Sequence, residues 1–257
     1  MRRRRPLLAL FLLLGAAPAA ARPRPELVVF EAASLKDVLA RLAATFEAAR
    51  PRARVVFNAA GSQELRAQIE HGAAADLFAS ADRRQMEPLL AAHLIEAPVL
   101  FACNRPVLVT RIGLETIASL ADLPKAQRVV LGAPEVPIGA YAELLFRRAA
   151  TLYGPDFPAR VQARVVSREL NVRQVLAKVI LGEADAAVVY ASDAASAGSK
   201  VRVVALPPAA DVVAEYPIAL VRGGAQPALA RAFLDLLRGP AGAAALKDAG
   251  FVPCPPP

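Results

Sequence analysis

Tryptophan is missing from the 257-residue chain, and only 5% of its residues are aromatic. Histidine and cysteine occur twice each, as His71, His93, Cys103 and Cys254. Thiols and imidazoles this sparse and scattered argue against a tetrahedral zinc site of ordinary spacing. Two histidines without a matched nucleophile also argue against a catalytic triad. The phosphate loop G-x-x-x-x-G-K-[ST], the dinucleotide turn G-x-G-x-x-G and the hydrolase elbow G-x-S-x-G are all absent. Glu183 and Asp185 are close in sequence but fall at a helix–strand turn, where solvation is the expected state. His71 ends a helical stretch and His93 sits among apolar residues, and both are expected to be structural. Basic residues form no patch interleaved with aromatics, so a nucleic-acid partner is not expected. Past the first 21 residues, no apolar run is long and charge-free enough to cross a bilayer. Cys103 and Cys254 can pair in an oxidising compartment; the sequence leaves that open.

The amino terminus carries a distinct pattern. Arg2 to Arg5 form a basic cluster, Leu7 to Gly15 an apolar run, and Ala19-Ala20-Ala21 a small-residue exit. This order of charge, core and cleavage site is that of a secretory signal over residues 1–21, without a cysteine at the exit for a lipid anchor. A mature, exported protein starting near Arg22 is expected. The chain has 31 basic and 23 acidic residues, formally +8. Four arginines leave with the signal, so 27 basic residues face 23 acidic ones, an excess of +4 that favours anions only weakly. About 236 residues remain, enough for one large core or two lobes.

Short valine-rich runs alternate with helical patterns along this length. The strand expectations are 27–30, 54–57, 76–79, 107–110, 128–131, 164–166, 185–190, 201–206 and 218–221. Their apolar residues are continuous instead of alternating, which suits strands buried on both faces. Leu35, Val38, Leu39, Leu42 and Phe46 follow helical spacing after Ser34; Val172, Val175, Leu176, Val179 and Ile180 do so after Asn171. Strands alternating with helices predict an α/β fold with mostly parallel sheets flanked by helices. The "CNRP" stretch at 103–106 and Pro207-Pro208 are the expected crossings between two lobes. Lobe one is then discontinuous, 22–105 plus 212–257, and lobe two is 106–211.

Four strand-to-helix joints look alike. They end at Ser34 in "AAS", at Ser62 in "NAAGS", at Gly139 in "PEVPIG" and at Asn171 in "SRELN". Serine and asparagine at such points cap a helix, worth about 1 kcal/mol. Several helix starts facing one cleft can do more, because each presents free amides and a partial positive charge to an anion. Burying a dianion is costly unless it is well hydrogen-bonded. A bond to a charged partner returns roughly 1.5–3 kcal/mol, so about six or more neutral donors can offset the dehydration.

Six segments in register resemble the periplasmic molybdate-binding proteins of ABC importers. They are "FEAASLKDVLARLAATFE" (30–47), "AAGSQELRAQIEHGAAADLFASAD" (59–82), "PEVPIGAYAE" (134–143), "NVRQVLAKVILGEADAAVVYASDA" (171–194), "EYPIALV" (215–221) and "GPAGAAALKDAGF" (239–251). The resemblance implies a two-lobe periplasmic binding protein fold with the ligand cleft between lobes. It implies capture of molybdate or tungstate by uncharged donors, delivery to a membrane permease, no catalysis, no resident cofactor and a monomeric protein. Carried over by motif, the ligand set is Ser34, Ser62, the amides of Ile138 and Val172, and the Tyr190 hydroxyl. Two departures stand out. Ile138 takes the place of a smaller residue and is expected to narrow the pocket, and Glu31 puts an acid near an anion site, where it is expected to point away. Arg173 and Lys36, beside the donors, are expected in solvent, and Asp193 is expected to open a helix. Sulfate is the rival ligand, with identical donor geometry. The rivals of another class are a regulator's sensor half, which would need a helix-turn-helix segment not found here, and a secreted hydrolase.

Overall fold

The computed structural model describes residues 24–254, so the signal expected at 1–21 lies outside the described residues. Ten strands form two five-stranded sheets. The first sheet holds β1 (Glu26–Ala32), β2 (Arg54–Ala60), β3 (Leu77–Ala79), β4 (Val99–Asn104) and, from late in the chain, β10 (Ala214–Leu220), in the order β2-β1-β3-β10-β4. The second holds β5 (Pro106–Arg111), β6 (Val129–Gly132), β7 (Val165–Glu169), β8 (Ala186–Tyr190) and β9 (Val201–Val204), in the order β7-β6-β8-β5-β9. The helices are α1 (Lys36–Ala49), α2 (Ser62–Glu70), α3 (Glu87–Ala91), α4 (Pro137–Tyr153), α5 (Phe157–Gln162), α6 (Val172–Ile180), α7 (Ala191–Ala197), α8 (Pro227–Arg238) and α9 (Pro240–Asp248). None of the described helices is long and apolar enough to cross a membrane.

Both sheets are mixed, and for one reason. β1 pairs parallel with β2 and β3, whereas β10 runs antiparallel to its neighbours β3 and β4. In the second sheet β6 is parallel to β7 and β8, whereas β5 is antiparallel to β8 and β9. Four strands of each sheet therefore point the same way. The reversed strand is the one that enters directly from the other sheet: β5 follows β4 after one residue, and β10 follows the return from β9. A strand arriving from the hinge must run away from it, against strands that end there.

Strand β1 shows why its apolar run is unbroken. Leu27 and Val29 pack in the main core with Val38, Leu39, Leu42 and Phe46 of α1, while Phe30 faces a smaller cluster with Leu65, Ile69, Phe78 and Leu89 under α2 and α3. Burying each such side chain contributes about 1.5–3 kcal/mol. Three differences from the sequence expectations have local causes. β4 was not anticipated, because "APVLFACN" mixes a proline and polar residues with its apolar ones. β10 begins at Ala214 instead of 218; Pro217, which cannot donate to a ladder, coincides with a register shift at Tyr216/Pro217. Ile180, counted in the apolar series of α6, is 38% exposed.

Candidate functional site

The carboxyl ends of β1, β2, β6, β7 and β8 meet where the two sheets face each other, the place where open α/β sheets collect ligands. Helix starts follow each end. At α6, Asn171 accepts hydrogen bonds from the amides of Arg173 (3.0 Å) and Gln174 (3.1 Å), and its carbonyl accepts from Val175. Only the Val172 amide of that turn is left over. At α2, the Gly61 carbonyl accepts from Glu64 and Leu65 and its amide donates to Glu64 Oε2, leaving the amides of Ser62 and Gln63. At α4, Pro137 has no N–H and the Val136 carbonyl accepts from Ala140, leaving those of Ile138 and Gly139. Gly139 is required there, since an added Cβ would lie 2.1 Å from the Ala133 carbonyl oxygen.

One cavity lies against these ends. Ser34, Ser62, Ile138, Val172 and Tyr190 all line it, and each is at most 4% exposed. Asn171 and small residues, among them Ala33, Gly61 and Ala81, complete the wall, and no lining residue carries a charged side chain. The space open to the centre of a water-sized atom is about 20 Å³, more than one water needs and small for anything organic. The Tyr190 hydroxyl is buried without a hydrogen-bond partner among the described residues, and desolvation holds its pKa well above the ordinary value. A buried, unpaired donor at a cavity wall can donate to whatever occupies the cavity. Ser62 Oγ accepts from the Ala81 amide at 3.1 Å, so its own proton is free. Ser34 Oγ lies 3.0 Å from Tyr216 Oη.

The lobes are shut across this cavity. Gln63 Nε2 of α2 donates to the Leu170 carbonyl (2.8 Å), Gln85 Nε2 to the Glu135 carbonyl (3.1 Å), and the Glu215 amide to Tyr141 Oη (3.1 Å). With donors from four helix starts and two sheets converging on an uncharged hole, the arrangement suits a small oxyanion and offers no nucleophile–base pair.

The profile of bacterial extracellular solute-binding proteins matches residues 27–252. The chain belongs to this family. It is 42% identical, over 229 residues, to the molybdate-binding protein ModA of Mycobacterium tuberculosis strain H37Rv, covering 88% of this chain and 84% of the relative. Among solved structures, a Clostridium difficile chain titled "substrate binding domain of putative molybdenum ABC transporter" is 27% identical with TM-score 0.66, over 88% of this chain and 97% of that one. The sulfate-binding protein SubI of M. tuberculosis H37Rv shares the fold with TM-score 0.80 at 20% identity, over 90% and 88% of the two chains.

Among the charged groups of this solute-binding protein, Glu31 stays out of the cavity wall as expected, whereas Arg173 and Asp185 sit differently from expectation. Glu31 is 1% exposed, with neither carboxylate oxygen hydrogen-bonded, and it lines no wall of the cavity. Burial pushes its pKa up to about 8, against the opposing pull of Lys36 and Arg173. At neutral pH the group is therefore protonated and does not repel an anion. Between about pH 4.5 and about 8 the folded state holds a proton that the unfolded state gives up, so this group's contribution to stability falls as pH rises. Asp193, fully buried with its pKa raised to about 7 by desolvation, adds in the same direction. Glu31→Gln is expected to flatten the decline of stability over that window by a few kcal/mol, measured as urea midpoints from pH 5 to 9. A slope identical to that of the parent protein would refute the assignment.

Arg173 is not a solvated helix residue. It pairs with Asp37 of α1 at 2.8 Å and with Asp193 of α7 at 2.7 Å, tying the two lobes together. Asp193 lies in the first turn of α7, and Lys36 is exposed. Asp185 is likewise paired instead of solvated: it accepts from the Arg128 amide and faces Arg111 and Arg128, which hold its pKa down despite desolvation. Glu183 pairs with Lys178 at the surface. His71 ends α2 with Nδ1 against the Ala67 carbonyl, and His93 occupies a turn at φ 57° and is exposed, not packed in the core.

Proposed function

We propose that the protein captures molybdate or tungstate in this cavity and delivers it to the membrane permease of an ABC importer. The observation that carries it is an uncharged hole lined by buried donors, at which the Tyr190 hydroxyl has no hydrogen-bond partner among the described residues. Ser34, Ser62 and Tyr190 supply hydroxyls, and Ile138 and Val172 supply helix-start amides. Relatives named for molybdate support this ligand. The lobes 22–105 plus 212–257 and 106–211 close by hinge motion, the usual device of this architecture, and the permease reads the closed form. Residues 1–21 serve export to the periplasm, where the Cys103–Cys254 disulfide persists. The protein works as a monomer, without a resident cofactor.

Sulfate is the second reading, favoured by the likeness to a sulfate-binding fold. The relative named for molybdate is 42% identical to this chain, against 20% for the sulfate-binding neighbour, which favours the first reading. Calorimetric titration with molybdate, tungstate, sulfate and phosphate decides, and tighter sulfate binding would overturn the assignment. Ser62→Ala is expected to weaken molybdate binding by about 1–3 kcal/mol. It also leaves the buried Ala81 amide unpaired, so a stability loss of about 1 kcal/mol accompanies it. Unchanged affinity would remove Ser62 from the site.

A further inference from the structure

Tyr216 stands outside the cavity wall, yet a buried hydrogen bond links its hydroxyl to Ser34 on the ligand side. Tyr216 is fully buried, and its single hydroxyl proton needs an acceptor there; its one hydrogen-bond partner among the described residues is Ser34 Oγ at 3.0 Å. Ser34 then accepts from behind, and its own proton points to the cavity. The ring of Tyr216 is clamped edge-on between Tyr190 and Phe251, with centroids at 5.6 and 5.3 Å, so the hydroxyl cannot swing away. Ser62 is set in the same sense by the Ala81 amide.

We propose that Tyr216 is a specificity-determining positioning residue: with its ring held between Tyr190 and Phe251, its hydroxyl donates to Ser34 Oγ and commits the Ser34 proton to the ligand. The cage then donates and does not accept. A fully deprotonated tetrahedral dianion satisfies it. An oxyanion that keeps a proton, such as hydrogen phosphate, brings an O–H with no acceptor, and burying that group unpaired is costly. Without Tyr216 Oη, the Ser34 hydroxyl is free to turn and accept.

This inference rests on the oxyanion site proposed above, and the test separates the two. The parent protein, Tyr216→Phe, Ser34→Ala and the double variant are titrated by calorimetry with molybdate, sulfate and inorganic phosphate at neutral pH, alongside thermal unfolding. Phenylalanine keeps the ring contacts. Tyr216→Phe is expected to weaken molybdate binding about tenfold and to lower the ratio of molybdate to phosphate affinity. The double variant should bind molybdate no more weakly than Ser34→Ala, because both changes break the same hydrogen bond. Additive losses, or an unchanged affinity and ratio in Tyr216→Phe, overturn the proposal while leaving the site standing. A parent protein that binds none of the three anions overturns both. Should Tyr216→Phe unfold, Tyr216→Met removes the same hydroxyl with a flexible apolar side chain and should lower the same ratio; an unaltered ratio there also refutes the proposal.

Discussion

Gly61→Ala is expected to leave both lobes folded and to prevent them from closing. Gly61 has φ −63° and ψ 138°, ordinary extended backbone that alanine adopts freely. The obstacle lies across the cleft. A Cβ at this position would stand 2.3 Å from the Leu170 carbonyl oxygen of the opposite lobe and close to the Gln63 amide that donates to it. The side chain of Gln63 can move, but the Leu170 carbonyl is backbone in the turn before α6. Overpacking of this kind costs about 1–3 kcal/mol, and here the penalty applies only to the closed state. Oxyanion affinity should therefore fall about 10- to 100-fold, with an unfolding midpoint near that of the parent protein. Small-angle scattering provides the second readout: the parent protein should contract on adding molybdate, and the variant should contract less. An alanine variant with parental affinity would mean that the lobes meet differently in the bound form.

Loss of the Cys103–Cys254 disulfide is expected to have the largest effect on stability. The bond joins β4 to the carboxyl-terminal segment across a sequence separation of 151. Removing a native disulfide commonly costs about 2–5 kcal/mol, and long loops lie toward the upper end in the chain-entropy account. The paired substitution Cys103→Ser with Cys254→Ser should lower the urea midpoint accordingly, and a reductant should shift the parent protein in the same direction while leaving the variant unmoved. Thiol titration of the unfolded, unreduced parent protein should detect no free thiol; two would dispose of the bond. The tether matters beyond stability. Phe251, three residues before Cys254, packs against the ring of Tyr216, and Val252 forms a bridge with Cys103. The tail thus supports the back of the residue that holds Ser34.

Much of the architecture was legible because its causes are local. Leu35 to Phe46 read as a helix through spacing alone, and β1 read as a doubly buried strand through its unbroken apolar run. The helix starts at Ser62 and Asn171 were visible from turn chemistry within a few residues. Resemblance to a family then joined five such points into one ligand set, and the five residues line a single cavity. What escaped was whatever depends on partners far along the chain. Ser34 and Tyr216 are 182 residues apart, so nothing in "AAS" or in "EYPIALV" reveals which hydroxyl donates. Glu31 was an unresolved acid until its burial, which keeps it neutral, could be seen. Arg173 looked like one more basic residue on a helix, and became a link between lobes through Asp37, 136 positions away.

The reversed strands β5 and β10 belong with these, since their direction follows from where the chain re-enters each sheet. Periodicity and capping are set by neighbours within a turn or two, so a linear sequence carries them openly. Hydrogen-bond direction, protonation and the fit of one lobe on the other depend on desolvation and distance between remote segments, quantities that exist only once the chain has closed on itself.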